Sequence, residues 1–243
     1  MCPTQLLVPV YEEGEGILAL CAELRRHSVP YDSLKFIFDF EEDSTVPVIR
    51  ELQAEDARIV GEMNGFEHGV LHALRWGFSR AGPGPVITIM GDNSDKISLI
   101  PEMIALWESG STIVSPSRYM PGGRQSGGGL LKSTLSRLAG VSLKCLGFPT
   151  SDPTNNFKLY DGEWLRKQKI ESTGGFEVAL ELCHKAFLQG ERIAELPTEW
   201  RDRTSGESHF RLFAWLPAYL RWYLLTLRAL LSGTRARTSA RDD

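Results

Sequence analysis

The sequence has few cysteines, no surplus of basic residues and no segment typical of an export signal. Its 243 residues include four cysteines, none in a Cys-x-x-Cys pair, which favours reduced thiols in a cytosolic protein over a disulfide framework. The formal net charge is −4 and the pI is near 5.8, whereas a general nucleic-acid-binding surface is net basic. The N-terminus leads straight into an apolar stretch without a basic leader. These absences predict a cytoplasmic protein that does not bind nucleic acid.

The most informative stretch is residues 86–95, in which apolar β-formers end in two carboxylates, Asp92 and Asp95. A buried parallel strand that delivers acids to its carboxyl end has this pattern, and ligands of α/β sheets gather at that edge. Carboxylate oxygens are the ligands that Mg²⁺ and Mn²⁺ prefer. Ordinary turn chemistry explains an Asp-Asn-Ser-Asp sequence equally well. This stretch alone leaves a metal site and a plain turn equally open.

The rest of the chain alternates between strand-like and helix-like patterns. Further strands are expected near residues 5–10, 35–38, 58–60, 112–115 and 192–197, and the turn within residues 152–160 is expected to enter another strand. Helices are expected up to residue 26 and over residues 66–80, 100–109, 130–146 and 176–189. This alternation implies an α/β fold with a doubly wound, mostly parallel, Rossmann-like sheet flanked by helices, which we assign to residues 1–211.

The C-terminal part has a different composition. Residues 212–231 are almost wholly apolar, but Pro217 interrupts them, and Arg221 and Arg228 would be costly at the centre of a bilayer. Tryptophan, tyrosine and arginine together favour a helix that lies in the membrane interface, and a helix packed on the protein's own core is an equal alternative. We expect residues 212–232 to form this helix and residues 233–243 to be a disordered tail.

A glycine motif near the N-terminus suggests a different function. Gly14 and Gly16 lie between the first strand and the first helix in a Gly-x-Gly-x-x-Ala pattern, and Asp39 follows at about the spacing of a dinucleotide-binding fingerprint. Three glutamates crowd the same turn, however, and their charge would oppose a bound phosphate. A nucleotide-binding dehydrogenase is therefore a minority interpretation.

A second glycine-rich stretch, residues 121–129, is followed by no Gly-Lys-Ser/Thr at the spacing of a Walker loop. It is too rich in glycine to be held by its own packing. A mobile lid and a plain linker are both compatible with this composition.

Several short motifs follow one another along residues 6–212. They are Pro9-Val10-Tyr11-Glu12-Glu13, Gly91-Asp92-Asn93-Ser94-Asp95, Ser117-Arg118-Tyr119, Lys132 with Ser136, Asp152-x-Thr154-x-x-Phe157, Glu181 and Arg203-x-x-Gly206-Glu207-Ser208. In this order they resemble the motifs of the family-2 glycosyltransferases of GT-A fold, especially the dolichol- or polyprenyl-phosphate mannose synthase branch. One such motif would be weak evidence, but the whole series is a specific signal.

The resemblance implies an inverting, metal-dependent transfer of a sugar from a UDP- or GDP-linked donor to a polyprenyl or dolichyl phosphate. The cofactor would be Mg²⁺ or Mn²⁺, held by Asp92 with Asp95 as a helper. The residues implied to bind the donor nucleotide are Pro9, Tyr11, Glu13, Asp39 and Asp92. Those implied to bind the acceptor phosphate are Arg118, Lys132, Ser136, Arg203 and Ser208. The implied catalytic group is Asp92, Arg118, Lys132 and Arg203.

The sequence also departs from the family pattern. Met90 stands where the family has the first acid of its Asp-x-Asp motif, so Asp92 would be the main metal ligand. The acidic turn at residues 39–45 differs from the usual Asp-Asp-Gly-Ser-Thr-Asp, which leaves the choice between uracil and guanine open. Lys132 replaces a common arginine and loses its bidentate fork, and His209 replaces the usual final lysine.

Two alternatives remain beside the lipid-phosphate hypothesis. A phosphate acceptor is already ionised at neutral pH, whereas a sugar hydroxyl would need a general base. A glycosyltransferase that acts on a sugar hydroxyl in polysaccharide assembly would use Asp152 or Glu181 as that base. The other alternative is the dehydrogenase or a catalytically silent binding module. Met90, in place of an acid, favours the silent module. Any peripheral contact with the cytoplasmic face of a membrane would depend on residues 212–231.

Overall fold

The computed structural model describes residues 2–127, 129–201 and 212–233, with the backbone alone for residues 130, 132 and 212–214. Its strands are β1 (Gln5–Pro9), β2 (Ser33–Phe38), β3 (Ile59–Met63), β4 (Pro85–Thr88), β5 (Ile113–Ser117), β6 (Arg124–Ser126), β7 (Lys158–Asp161), β8 (Ile193–Pro197) and β9 (Glu199–Arg201). Its helices are α1 (Gly16–Arg26), α2 (Thr45–Glu55), α3 (Val70–Ser79), α4 (Ile100–Glu108), α5 (Leu130–Cys145), α6 (Gly162–Arg166), α7 (Val178–Leu188) and α8 (Leu212–Leu231).

Seven strands form one sheet in the order β3-β2-β1-β4-β7-β5-β8. All neighbours are parallel except β7, which runs antiparallel to both β4 and β5. The predicted mostly parallel, Rossmann-like sheet is therefore confirmed. The direction of β7 was not predicted, because the pattern of a short strand shows that it exists but not which way it pairs. The division between residues 1–211 and 212–232 stays a prediction.

The sheet has its switch point between β1 and β4. From β1 the chain moves outward through β2 and β3, and it then returns to add β4 on the other side of β1. The connections therefore diverge at the carboxyl ends of these two strands, which leaves a crevice there for a ligand. Val10 and Tyr11 follow β1 at this edge, and residues 89–95 follow β4.

Strands β1 and β4, which lie side by side within the sheet, are buried on both faces. In β1, Leu6 and Val8 belong to the apolar cluster on one side of the sheet and Leu7 to the cluster on the other, and none of the three is exposed. Alternate side chains of a strand point to opposite faces, so helices must cover both sides of the sheet. Each such side chain stabilises the fold by about 1.5–3 kcal/mol relative to the exposed state.

Helix α3 begins later than predicted, at Val70 rather than residue 66. The preceding residues are held in a loop by the buried carboxylate of Asp39. The Asn64 side-chain amide donates to Asp39 Oδ1 at 2.9 Å, and the Gly69 backbone N–H donates to Asp39 Oδ2 at 2.7 Å. Gly69 has φ = +116°, which side-chain-bearing residues rarely adopt. These long-range contacts override the helical pattern of residues 66–69.

Helix α8 begins at the predicted residue and ends at Leu231, one residue before the predicted end. One face is packed: Trp222, Thr226 and Ala229 are buried, and Thr226 Oγ1 lies 3.0 Å from Nδ1 of His184 in α7. On another face several leucines are exposed. Within the described residues no helix is long and apolar enough to cross a membrane. Apart from Gly233, the predicted disordered tail lies outside those residues.

The glycine-rich stretch at residues 121–129 contains a strand. Arg124–Ser126 forms β6, which pairs in parallel with β9 in a small second sheet. Gln125 Nε2 also donates to Ser133 Oγ at 2.7 Å, which ties β6 to α5. This stretch is therefore not a plain linker.

Candidate functional site

A cavity of about 930 Å³ opens at the carboxyl ends of β1 and β4. Its polar end lies at the sheet edge, and from there an apolar arm extends between α5 and α8. The residues of the polar end include Pro9, Tyr11, Glu13, Asp39, Asp92, Asp95, Arg118, Ser136 and Thr154. The residues of the apolar arm include Leu135, Leu138, Ala139, Trp215, Leu216, Tyr219, Leu220 and Tyr223.

The structure brings all five predicted donor residues into this one cavity. Pro9 ends β1, and Tyr11 and Glu13 follow it. Asp39 follows β2, and Asp92 follows β4. The Tyr11 ring is about half exposed and meets the ring of Phe40 edge to face, with 5.9 Å between their centroids. An aromatic face beside a fixed carboxylate is chemistry suited to a nucleoside.

The loop after β1 contradicts the dinucleotide-binding interpretation. The N–H of Glu12 donates to Asp43 Oδ2 at 2.9 Å, and those of Glu13 and Gly14 donate to Thr45 Oγ1 at 3.0 and 3.2 Å. A pyrophosphate in a Gly-x-Gly loop needs such N–H groups to be free. Here they are engaged within the protein. Sequence reasoning missed Asp43 and Thr45, although an Asp-Ser-Thr turn at the start of a helix is a typical capping signal.

The two acids after β4 differ in environment. Asp92 is half-buried, and its Oδ1 accepts from Ser94 N–H at 3.1 Å. Asp95 is buried, and its Oδ2 accepts from Met90 N–H at 3.0 Å. Burial, together with the charge of Asp92, raises the pKa of Asp95 to about 7, although the bond from Met90 acts in the opposite direction.

These acids fit a divalent cation that keeps most of its ligands from water and substrate. Both carboxylates line the cavity, and both supply the hard oxygen atoms that Mg²⁺ and Mn²⁺ prefer. The described residues contain no cluster of three His, Cys, Asp or Glu side chains that could enclose a metal. The Met90 side chain adds no carboxylate. The chain thus offers a site with few protein ligands, in which Asp92 is the more accessible one.

The predicted phosphate ligand Arg118 is held by a buried ion pair. Arg118 Nε lies 2.6 Å from Asp152 Oδ2, Nη2 lies 2.9 Å from Oδ1, and the Arg118 N–H donates to Oδ2 at 3.0 Å. Burial opposes the ionisation of Asp152, but the charge and hydrogen bonds of Arg118 outweigh it and keep the pKa of Asp152 below its ordinary value. Such an acid is a poor proton acceptor, so this geometry argues against Asp152 as a general base.

Ser136 and Thr154 continue the polar wall from Arg118. Ser136 Oγ and Thr154 Oγ1 share a hydrogen bond of 2.6 Å, and Arg118 Nη2 lies 3.5 Å from Thr154 Oγ1. Thr154 was marked by the family motif but not assigned to the site. The predicted ligand Lys132 belongs to α5, but its side chain lies outside the described part of the chain, as do Arg203 and Ser208. Their roles stay predictions.

Glu181 is not part of the cavity. Its fully buried carboxylate accepts the N–H groups of Glu171 and Ser172, each at 2.7 Å, and a hydrogen bond from Lys185 Nζ at 2.6 Å. It therefore fixes the chain before α7 to that helix. This position argues against Glu181 as a catalytic base. Glu181 was the second candidate for the base that a sugar-hydroxyl acceptor would need.

The apolar arm is the main feature that sequence reasoning missed. Its walls come from the exposed sides of α5 and α8, and Tyr223 of α8 shares a hydrogen bond of 3.0 Å with Ser142 of α5. The leucine spacing of each helix was visible in the sequence. That the two helices form opposite walls of one cavity could not be inferred from either helix alone.

No protein-family model matches the chain, but sequence relatives are found among curated proteins. The polyprenol monophosphomannose synthase of Mycolicibacterium smegmatis is 24% identical over 217 residues, which cover 85% of this chain and 81% of the relative. The undecaprenyl-phosphate mannosyltransferase of Micrococcus luteus is 25% identical over 211 residues, which cover 83% of this chain and 85% of the relative.

Solved structures share the fold at lower sequence identity. The glucosyl-3-phosphoglycerate synthase of Mycobacterium tuberculosis, in complex with Mn²⁺, UDP-glucose and phosphoglyceric acid, has a TM-score of 0.66 and 15% identity. This match covers 97% of our chain and 81% of that one. The same enzyme in complex with Mg²⁺ and UDP gives a TM-score of 0.65. The predicted resemblance is thus confirmed: the chain has the GT-A fold and is a glycosyltransferase homologous to the polyprenyl-phosphate mannosyltransferases.

Proposed function

We propose that the protein is an inverting, metal-dependent glycosyltransferase that transfers a sugar from a UDP- or GDP-linked donor to a polyprenyl or dolichyl phosphate. The observation that carries this proposal is the continuity of the cavity. An aromatic ring and a carboxylate that suit a nucleoside, two further carboxylates, a buried arginine and an apolar arm line one space. A nucleotide-sugar and an amphiphilic phosphate carry chemical groups that match these. The relatives' names mention such lipid phosphates.

In the donor half, Tyr11 and Asp39 would contact the base and ribose, and Pro9 and Glu13 would shape the loop around them. Mg²⁺ or Mn²⁺ held by Asp92, with Asp95 behind it, would stabilise the negative charge that develops on the departing diphosphate as a Lewis acid. The structural neighbours with Mn²⁺ or Mg²⁺ and a uridine nucleotide support this assignment.

In the acceptor half, Arg118 and Ser136 would hold the phosphate behind the anomeric carbon, together with the predicted ligands Lys132, Arg203 and Ser208. A phosphate oxygen forms the new bond to that carbon while the bond from the carbon to the diphosphate oxygen breaks, so the configuration inverts. The buried pair of Arg118 and Asp152 is rigid, and such positioning supplies a large part of catalysis. No general base is required, in agreement with the engaged carboxylate of Asp152.

The proposed function is tested with acceptors that share a chain but differ in the headgroup. We expect sugar transfer from a UDP- or GDP-sugar to undecaprenyl phosphate in the presence of Mn²⁺, and no transfer to undecaprenol, which lacks the phosphate. A radiolabelled donor and thin-layer chromatography of the lipid product measure both reactions. Transfer to free oligosaccharide hydroxyls instead would favour the polysaccharide alternative. Nucleotide binding without transfer to either acceptor class would favour a silent module.

The exposed faces of α5 and α8 suggest that the protein meets the lipid acceptor at the cytoplasmic face of a membrane. Most of the exposed leucines on these faces are three or four residues apart, and arginines lie on the same two helices. The exposed leucines are Leu131, Leu135 and Leu138 of α5, and Leu216, Leu220, Leu224, Leu225 and Leu231 of α8. The exposed arginines are Arg137, Arg221 and Arg228. Each such arginine is worth about 1 kcal/mol at an anionic surface.

Flotation with vesicles tests this contact. We expect the protein to bind vesicles that contain phosphatidylglycerol, because apolar area and positive charge act together. The double variant Leu138→Glu/Leu224→Glu is expected to lose most of this binding. Leu18→Glu, which places the same charge on an exposed leucine of α1, is the matched control and should bind as the parent does. Equal loss in both variants, or no binding by the parent, would contradict the proposed contact.

A further inference from the structure

Tyr219 lines the same cavity as Arg118 of the polar end. It is on α8, one turn after Trp215 and one turn before Tyr223. Trp215 packs edge to face on Phe176 with 5.4 Å between ring centroids, and the Tyr223 hydroxyl is bonded to Ser142. These two contacts fix the helix on either side of Tyr219, which itself lines the cavity.

Three charged groups lie close enough to act on the Tyr219 hydroxyl: Glu177, Arg118 and Asp152. Of these, Arg118 lines the same cavity as Tyr219. Burial first, and the negative charge of Glu177 next, raise the pKa of Tyr219 well above its ordinary value. The hydroxyl therefore keeps its proton at neutral pH and can donate a hydrogen bond.

The nearby carboxylates are already engaged elsewhere. Glu177 accepts the N–H groups of Thr173, Gly174 and Gly175 at 2.6–3.0 Å. Asp152 is bonded on both oxygens by Arg118. A phosphate bound at Arg118 would bring oxygens that can accept a hydrogen bond from Tyr219. Phosphate oxygens form strong charge-assisted hydrogen bonds.

We propose that Tyr219 is a further acceptor-binding residue, whose hydroxyl donates a hydrogen bond to the acceptor phosphate held at Arg118. This inference rests on the proposed function and extends it. The helix that presents leucines to the surface then also contributes a contact to the headgroup. Recognition of the phosphate depends on the docking of α8, and the acceptor site is incomplete without that helix.

The variant Tyr219→Phe removes only the hydroxyl and tests the proposal. We expect the KM for undecaprenyl phosphate to rise about tenfold, the range of one hydrogen bond to a charged group, while the KM for the nucleotide-sugar stays unchanged. Direct binding of a ten-carbon polyprenyl phosphate should weaken by a similar factor. Binding of the matching ten-carbon alcohol should not change, because that ligand has no phosphate.

Two tyrosine variants separate this role from packing. Tyr31→Phe removes a hydroxyl that is bonded to Asp56, outside the cavity, and should leave both KM values unchanged. Tyr223→Phe removes the bond to Ser142 on the same helix, and should lower stability without changing the preference for phosphate over alcohol. An unchanged acceptor KM in Tyr219→Phe, or an equal loss for phosphate and alcohol, would overturn the proposal. A parent that transfers no sugar to polyprenyl phosphate would instead refute the proposed function.

Discussion

Replacing Asp92 with asparagine is expected to abolish metal-dependent nucleotide binding and to reduce sugar transfer at least about a hundredfold. The change keeps the size of the side chain but removes the charge that would attract the cation. Lewis-acid stabilisation of a leaving group is worth several kcal/mol, and each 1.36 kcal/mol is about a factor of ten in rate. Calorimetric titration of UDP and of GDP, with and without Mn²⁺, measures the binding and also identifies the base.

Three companion variants sharpen the test of the metal site. Glu51→Gln removes an exposed carboxylate of α2 and should change nothing. Asp95→Asn should weaken Mn²⁺ binding less than Asp92→Asn, since Asp95 is buried and bonded to Met90. Met90→Asp, which restores the first acid of the family motif, should tighten Mn²⁺ binding. Nucleotide binding that is independent of the metal, and that survives in Asp92→Asn, would contradict the assignment of Asp92 as a metal ligand.

Asp152→Asn is expected to lower the free energy of unfolding by about 3–5 kcal/mol. The substitution leaves the guanidinium of Arg118 buried without its counter-charge, and that is the usual cost of breaking a buried pair from one side. Arg118 would also lose its fixed orientation, so the KM for the acceptor should rise. Urea unfolding measures the first effect and steady-state kinetics the second.

The pH dependence of stability gives an independent readout of the same pair. The pKa of Asp152 is lowered in the folded protein, so the unfolded state binds its proton at higher pH, near an ordinary value of about 3.9. The contribution of Asp152 is complete above that value and is lost as the pH falls toward the folded pKa. Asp152→Asn should lack this part of the acid dependence, and a variant with the same acid profile as the parent would contradict the assignment.

Glu181→Gln separates structural from catalytic carboxylates. Glu181 is as buried as Asp152, but its oxygens hold the chain before α7 to that helix and do not line the cavity. We expect Glu181→Gln to lower stability and to retain kcat per folded molecule. If kcat fell to background in Glu181→Gln at a temperature where the variant is folded, the sugar-hydroxyl mechanism would regain support.

Local patterns in the sequence determined the framework of this protein. The apolar runs of β1 and β4 predicted strands buried on both faces. Asp92 and Asp95 follow the run of β4, so they had to lie at the carboxyl edge of the sheet. The length and composition of residues 212–231 predicted a helix there, and α8 is that helix. These features depend on neighbouring residues or on a single periodicity, so the sequence alone shows them.

Only the tertiary structure decided which side chains meet. Arg118 and Asp152 are 34 residues apart, and their pairing removes a base that the motif had suggested. The carboxylate of Asp39 accepts hydrogen bonds from residues 25 and 30 positions further along the chain, and these bonds keep α3 from beginning earlier. A helical pattern shows that α8 has an apolar face, but not that Tyr219 lies near Arg118 or that α5 forms the opposite wall. Periodicity records how buried each face is, whereas the partner of that face depends on how distant segments pack.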